Sequence, residues 1–229
     1  MDDKLLYSLV ALALGWLLAQ GTEWVKVRSR RRTITNGLLD ELRDIDQLMV
    51  QALLAHQREL QFAVQGALEP RSAAPIGAVL FEQSFGEAAP LLGQSQRLSF
   101  ATIHNLRVGY NKLLEERRDL VMEAQETVLK SEQTRLQELV ARGDQMSEAL
   151  YRSALEIRWH VRFHLDHPEV PHLDLFGSVH RSYLEFQRDL DRDIEETRLQ
   201  AKTLSREAMT APFDERAFNE MAKSFHRSR

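Results

Sequence analysis

Residues 101–128 read ATIHNLRVGYNKLLEERRDLVMEAQETV, and this stretch decides the fold. Ile103, Leu106, Tyr110, Leu113, Leu120, Ala124 and Val128 recur at steps of three, four and seven. That spacing places them on one face of an α-helix, while strict alternation, the mark of a half-buried strand, is missing. Arg117 interrupts the stripe. After it, Leu136, Leu139, Met146, Leu150, Ile157 and Val161 continue with a shifted phase. No proline falls between residues 95 and 167, so helix is free to run throughout. One unbroken helix over this block would reach ~110 Å, which makes a hairpin the expectation. Two turns are candidates: Lys130 to Thr134, and Ala141 to Gln145. In the second, Gly143 fits the residue after a helix end and Asp144 fits an N-cap.

The flanking blocks share the periodicity. Leu38, Leu42, Ile45, Met49 and Ala52 form a stripe that Leu39, Leu53, Leu60, Val64 and Leu68 widen. Val179, Tyr183, Phe186, Leu190, Ile194, Ala201 and Leu204 form another, with Asp174 as its candidate N-cap. Between the first two blocks, residues 69–94 carry Pro70, Pro75, Pro90, Gly77, Gly86 and Gly93 and read as a connector. Within it, residues 78–85 predict a short helix that breaks near Gly86. The expected fold is therefore all-α: an N-terminal transmembrane helix, then a cytoplasmic antiparallel helical bundle or long helical hairpin.

The transmembrane expectation comes from residues 1–32. Leu5 to Ala19, LLYSLVALALGWLLA, holds no charge, and the gap from Lys4 to Glu23 is long enough for a thin hydrocarbon layer. The acidic start and the lack of a small-residue cleavage site argue against a signal peptide. Lys26, Arg28, Arg30, Arg31 and Arg32 follow as a dense basic flank. Such a flank predicts a cytoplasmic side for everything after it, with the N-terminus outside. The lipid bilayer is accordingly one expected partner. The same run offers little to nucleic acid, because the whole chain carries a net charge of -4. Residues 1–32 hold six cations against three acids, leaving -7 on residues 33–229.

The chain of 229 residues divides into an anchor at 1–32, a helical domain at 33–210 and a short tail at 211–229. In the tail, Phe213, Phe218, Met221 and Phe225 share a helical face beside Lys223, Arg227 and Arg229, and are candidate interface residues.

Chemistry is sparsely signalled. Without cysteine there is no thiol nucleophile, thiolate metal site or disulfide. No phosphate-binding glycine loop, Gly-x-Ser-x-Gly elbow or His-Glu-x-x-His motif occurs. No catalytic residue is assigned, and no enzyme is expected. Histidine placement is the anomaly, with five of the eight between His160 and His180. Glu156, His160, His164 and His167 can line one helical face, a donor set suited to zinc or non-haem iron. The competing reading is structural: histidines near a helix C-terminus satisfy its free carbonyls and dipole.

The anchor with Gly15-Trp16-Leu17-Leu18, the Arg-rich flank, the helix at Leu38 to Leu42, and Phe81 to Phe85 ahead of Leu91-Leu92 form a set. Together they resemble uncharacterised bacterial single-pass membrane-anchored helical proteins. The resemblance covers roughly the first half of the chain. It implies an inner-membrane, single-pass architecture and no activity. The expected function is a membrane-tethered helical interaction or scaffold module, acting through a protein partner or as a homo-oligomer. A metal-binding or ligand-sensing domain built on the histidines, and an accessory subunit of a membrane complex, are the alternatives.

Overall fold

The computed structural model describes residues 3–169, 177–211, 216, 219 and 220, with side chains from Ala11 onward. Its elements are α1 (Asp3–Val64), α2 (Val79–Ala88), a 3-10 turn (Ala89–Leu91), α3 (Gln94–Leu129), α4 (Gln133–Asp166), α5 (Ser178–Ala201) and α6 (Arg206–Thr210). No strand occurs among the described residues.

α4 is the centre of the bundle. It runs antiparallel to α1, since Asp46 meets Arg158 and Arg162 while Leu68 lies over Gly143. It also runs antiparallel to α3, since His164 reaches Ser99 near the start of α3. Its pairing with α5 is antiparallel too, with Arg152 on Asp191 and Arg198 on Asp144. Three mutually parallel helices thus surround one of opposite direction. Leu38, Leu42, Ile45, Met49 and Leu53 of α1 meet Phe100, Ile103 and Tyr110 of α3 in the core. Leu150, Ala154, Ile157 and Val161 of α4 complete it. Buried aliphatic side chains of this size each stabilise by roughly 1.5–3 kcal/mol, the main force holding the helices together.

Because α1 and α3 are parallel, the chain must travel back between them. The segment after α1 does so along α3. Glu69 O accepts from Arg117, then Ile76 O accepts from Arg107 and Asn111, and the backbone N–H groups of Leu80 and Phe81 reach Glu41. α2 does not break at Gly86 as expected; it continues to Ala88, and Pro90 sits in the 3-10 turn.

The hairpin is at Lys130–Glu132, the first of the two expected turns. Gly143 is inside α4, and its helix-ending role is corrected. Its missing side chain makes room for Leu68, whose methyl group lies where a Cβ would be. Asp174 lies outside the described residues, and α5 begins after Gly177.

α1 outruns the bundle. Its second half packs in the core from Ile34 on, while Ala11 to Arg32 is exposed throughout and forms an arm. Among the described residues, no helix is long and apolar enough to cross a membrane. The expected transmembrane anchor, its outer N-terminus and the single-pass inner-membrane placement are corrected accordingly. The uncharged run from Leu5 to Thr22 gives roughly 27 Å of helix at ~1.5 Å per residue. A hydrocarbon core is ~30 Å thick. Gln20, Gly21 and Thr22 dilute its end, and Glu23, Lys26 and Arg28 follow.

Candidate functional site

The arm of α1 is the most conspicuous surface. Its large apolar side chains are exposed, from 55% at Leu14 to 74% at Leu12, with Trp16, Leu17, Leu18, Trp24, Val25 and Val27 between those values. Exposed apolar residues are ordinary singly, but a contiguous set marks a surface meant to be covered. The basic flank extends the arm toward the bundle. Lys26 pairs with Glu23 at 2.9 Å, and the Arg28 guanidinium lies 5.3 Å from the Trp24 ring centroid, a cation–π contact. Arg30 reaches Glu87 of α2 at 2.6 Å, a strut between arm and bundle. Arg31 and Arg32 are exposed. These five cations, expected as a membrane flank, carry the arm's positive end.

The second candidate is the histidine region at the C-terminal end of α4. The four expected ligands are not brought to one point. Glu156 accepts a hydrogen bond from the Tyr183 hydroxyl of α5, and the His160 ring lies 5.7 Å from that of Tyr183. Burial holds the Tyr183 phenol above its usual range, and Glu156 adds to this. His160 is pulled below the usual histidine value by burial, with Glu156 opposing. His164 turns instead to α3: its Nδ1 is 2.7 Å from Ser99 Oγ and its ring packs on Phe100. Burial alone takes its pKa down to about 4. His167 caps α4, with its Nδ1 3.0 Å from the Phe163 carbonyl, the helix-end role weighed above. So Glu156 and His160 meet at Tyr183, while His164 and His167 go elsewhere. The face that carries them is wide enough to touch two neighbouring helices. Among the described residues, no group of three or more His, Asp or Glu side chains is placed to hold a metal ion.

Beside these residues α4 and α5 enclose a groove of about 830 Å³. Its floor is aromatic, with Trp159 stacked on Phe163 at 5.5 Å and Phe186 6.1 Å from Trp159. Asp46, Arg162 and Glu185 stand at its sides.

The third is interior. Arg117 of α3 and Glu59 of α1 form a buried ion pair at 3.1 Å. His56 links Glu59 Oε2 at 2.9 Å to the Tyr110 hydroxyl at 2.8 Å. Burial lowers the Arg117 pKa, and Glu59 and Glu69 raise it back in part. The sequence signal for this pair is Arg117's interruption of the apolar stripe. Phe213, Phe218, Met221 and Phe225, the expected tail interface, lie outside the described residues. No family model, curated protein or solved structure matches this chain.

Proposed function

We propose that this protein is a helical interaction module whose bundle serves as a base and whose arm docks on protein. The partner is another apolar helix, from a second copy or from a different chain. The module works through contact and has no chemistry of its own. One observation carries the reading. The arm exposes a continuous set of large apolar side chains on a helix whose other half is packed in a core. In water such a surface is costly at about 25 cal/mol per Å², and covering it supplies the drive for association.

The test compares the full chain with a Leu14→Gln, Leu17→Gln, Leu18→Gln variant. Sedimentation gives the mass, and hydrogen exchange locates the protected segment. The expected result is association that protects amides at 11–33 in the wild type and is lost in the variant. Association of equal strength in the variant would remove the arm from the mechanism.

A further inference from the structure

We infer that α2 is a clasp on the root of the arm, and that acid opens it through His104. The clasp concerns how the bundle holds the arm, whatever the arm docks on. α2 lies antiparallel along the part of α1 where the arm leaves the core. Its first turn meets Glu41, whose carboxylate accepts from the backbone N–H groups of Leu80 at 2.7 Å and Phe81 at 2.9 Å. Ala78 offers α2 no side-chain cap, and Glu41 supplies one from α1. Leu80 lies over Gly37, one turn nearer the arm. The last turn of α2 reaches Arg30 of the arm through Glu87. From α3, Arg107 donates to the Ile76 carbonyl at 3.0 Å and pairs with Glu82 at 2.7 Å. These fastenings are polar. Within α2 only Ala88 is buried, while Val79 and Leu80 are exposed. An element with so little buried apolar surface opens at lower cost than the core helices.

His104 lies beneath the clasp. It is 3% exposed, and its ring stacks on Phe81 of α2 at 3.4 Å with 17° between the planes. Neither ring nitrogen has a hydrogen-bond partner. The charged groups around it are committed elsewhere. Arg107, one turn along α3, holds Glu82 of α2, and Glu41 of α1 holds the backbone of α2. His164 of α4 packs on Phe100, one turn before His104, and burial keeps it neutral. A proton on the enclosed His104 ring thus meets Arg107 and no acceptor, whereas with α2 lifted it meets water. Burial first, then Arg107, takes the His104 pKa down to about 3, against ~6.5 in water. The lowered value means that the clasp is tightest above ~6.5 and loosens as pH falls. Opening grows about tenfold per pH unit below that point, or ~30-fold between pH 7.5 and 5.0.

The test uses the full chain carrying Leu14→Gln, Leu17→Gln and Leu18→Gln, in which the arm's docking side chains are gone. Hydrogen exchange at pH 7.5 and 5.0, divided by the intrinsic rate of each amide, reads the opening. Amides 83–88 are expected to be less protected than amides 150–161 of α4 at both pH values. They should lose ~30-fold of their protection at pH 5.0. Amides 26–33, at the root of the arm, should lose protection alongside them. His104→Phe is expected to abolish the loss in both places. Glu87→Gln cuts the strut alone, and should lower protection at 26–33 at pH 7.5 while leaving the acid response of α2 in place. Equal protection of α2 and α4 would mean that α2 opens only with the whole bundle, which overturns the clasp. A ~30-fold loss that survives His104→Phe removes His104 as the trigger. Amides 26–33 that do not respond when α2 opens overturn its hold on the arm. None of these outcomes bears on what the arm docks on, because the chain measured lacks the docking side chains.

Discussion

Arg117 and Glu59 face one another across the core, 1% and 0% exposed, with the guanidinium 3.1 Å from the carboxylate. Burying both charges is costly, and their attraction returns that cost only while both are present. Glu59 Oε2 is shared with His56, and Arg117 Nη2 donates to the Glu69 carbonyl, so the pair fastens α1, α3 and the returning connector together.

Arg117→Met is expected to destabilise the fold by ~3–5 kcal/mol, because Glu59 loses its guanidinium partner inside the core. Adding Glu59→Gln should restore part of that loss. Urea denaturation of both single variants and the double variant measures the coupling. Additive losses would show that the two groups do not act as a pair.

His104 predicts a dependence on pH. Its ring stacks on Phe81, and neither ring nitrogen has a hydrogen-bond partner. Burial, with a smaller push from Arg107, takes its pKa down to about 3, and burial takes His164 to about 4. Both are neutral in the fold, whereas in the unfolded chain they protonate near ~6.5. The unfolded state therefore binds more protons below that pH. Their contribution is complete above ~6.5 and is lost as pH falls toward 4, at up to ~1.4 kcal/mol per pH unit each. His104→Phe fills the same stack without an unpaired polar atom. It should keep or raise stability at pH 7.5 and flatten the slope between pH 6.5 and 4.5. An unchanged slope in urea titrations would count against His104 as a source.

The turn between α3 and α4 holds a serine where a glycine is usual. Ser131 has φ 59°, Ser131 N–H bonds Val128 O at 3.1 Å, and Glu132 N–H bonds Thr127 O at 3.3 Å. This is the hydrogen-bond pattern of a Schellman helix end, with Ser131 in the left-handed position. A side chain there costs ~1–2 kcal/mol, and glycine's greater freedom when unfolded takes back ~0.5–1. Ser131→Gly is expected to gain ~0.5–1 kcal/mol with no change in helix content. Thermal melts followed by circular dichroism read it, and a lower midpoint would refute it.

The same turn shows what the sequence can and cannot reveal. Helix periodicity was legible because each stripe is local. The hairpin was legible as a need, since one long helix leaves its apolar face uncovered. Its position was not. Gly143-Asp144 has the chemistry of a helix boundary, but the glycine serves close packing against Leu68, a contact made by a residue distant in sequence. Ser131 breaks the local rule because the core faces of α3 and α4 set where the chain must reverse. Arg117 was visible as an interruption, yet Glu59, its partner, is on another helix. The histidines looked convergent because one helical face carries them, but that face meets Tyr183 on one neighbour and Ser99 on another. For the arm, sequence revealed the apolar and basic segments but not that α2 braces it through Glu87 and Arg30.

Arg198 offers the last prediction, because toward its C-terminal end α5 is joined to α4 by ion pairs. Arg198 Nη2 lies 2.8 Å from Asp144 and 3.0 Å from Glu148, and Arg152 bridges Glu148 to Asp191. Arg198, Asp144 and Glu148 are about one-third exposed, so water and salt weaken the contacts, to ~1 kcal/mol or less apiece. Arg198→Met keeps the aliphatic stem and removes the charge. It is expected to lower stability by ~0.5–1 kcal/mol and to speed hydrogen exchange in α5 more than in α3. In 1 M salt the screening length falls to ~3 Å. Wild type should then approach the variant, since what Arg198 adds is already screened. A stability gap that persists undiminished in high salt would mean that Arg198 holds α5 by packing rather than by charge.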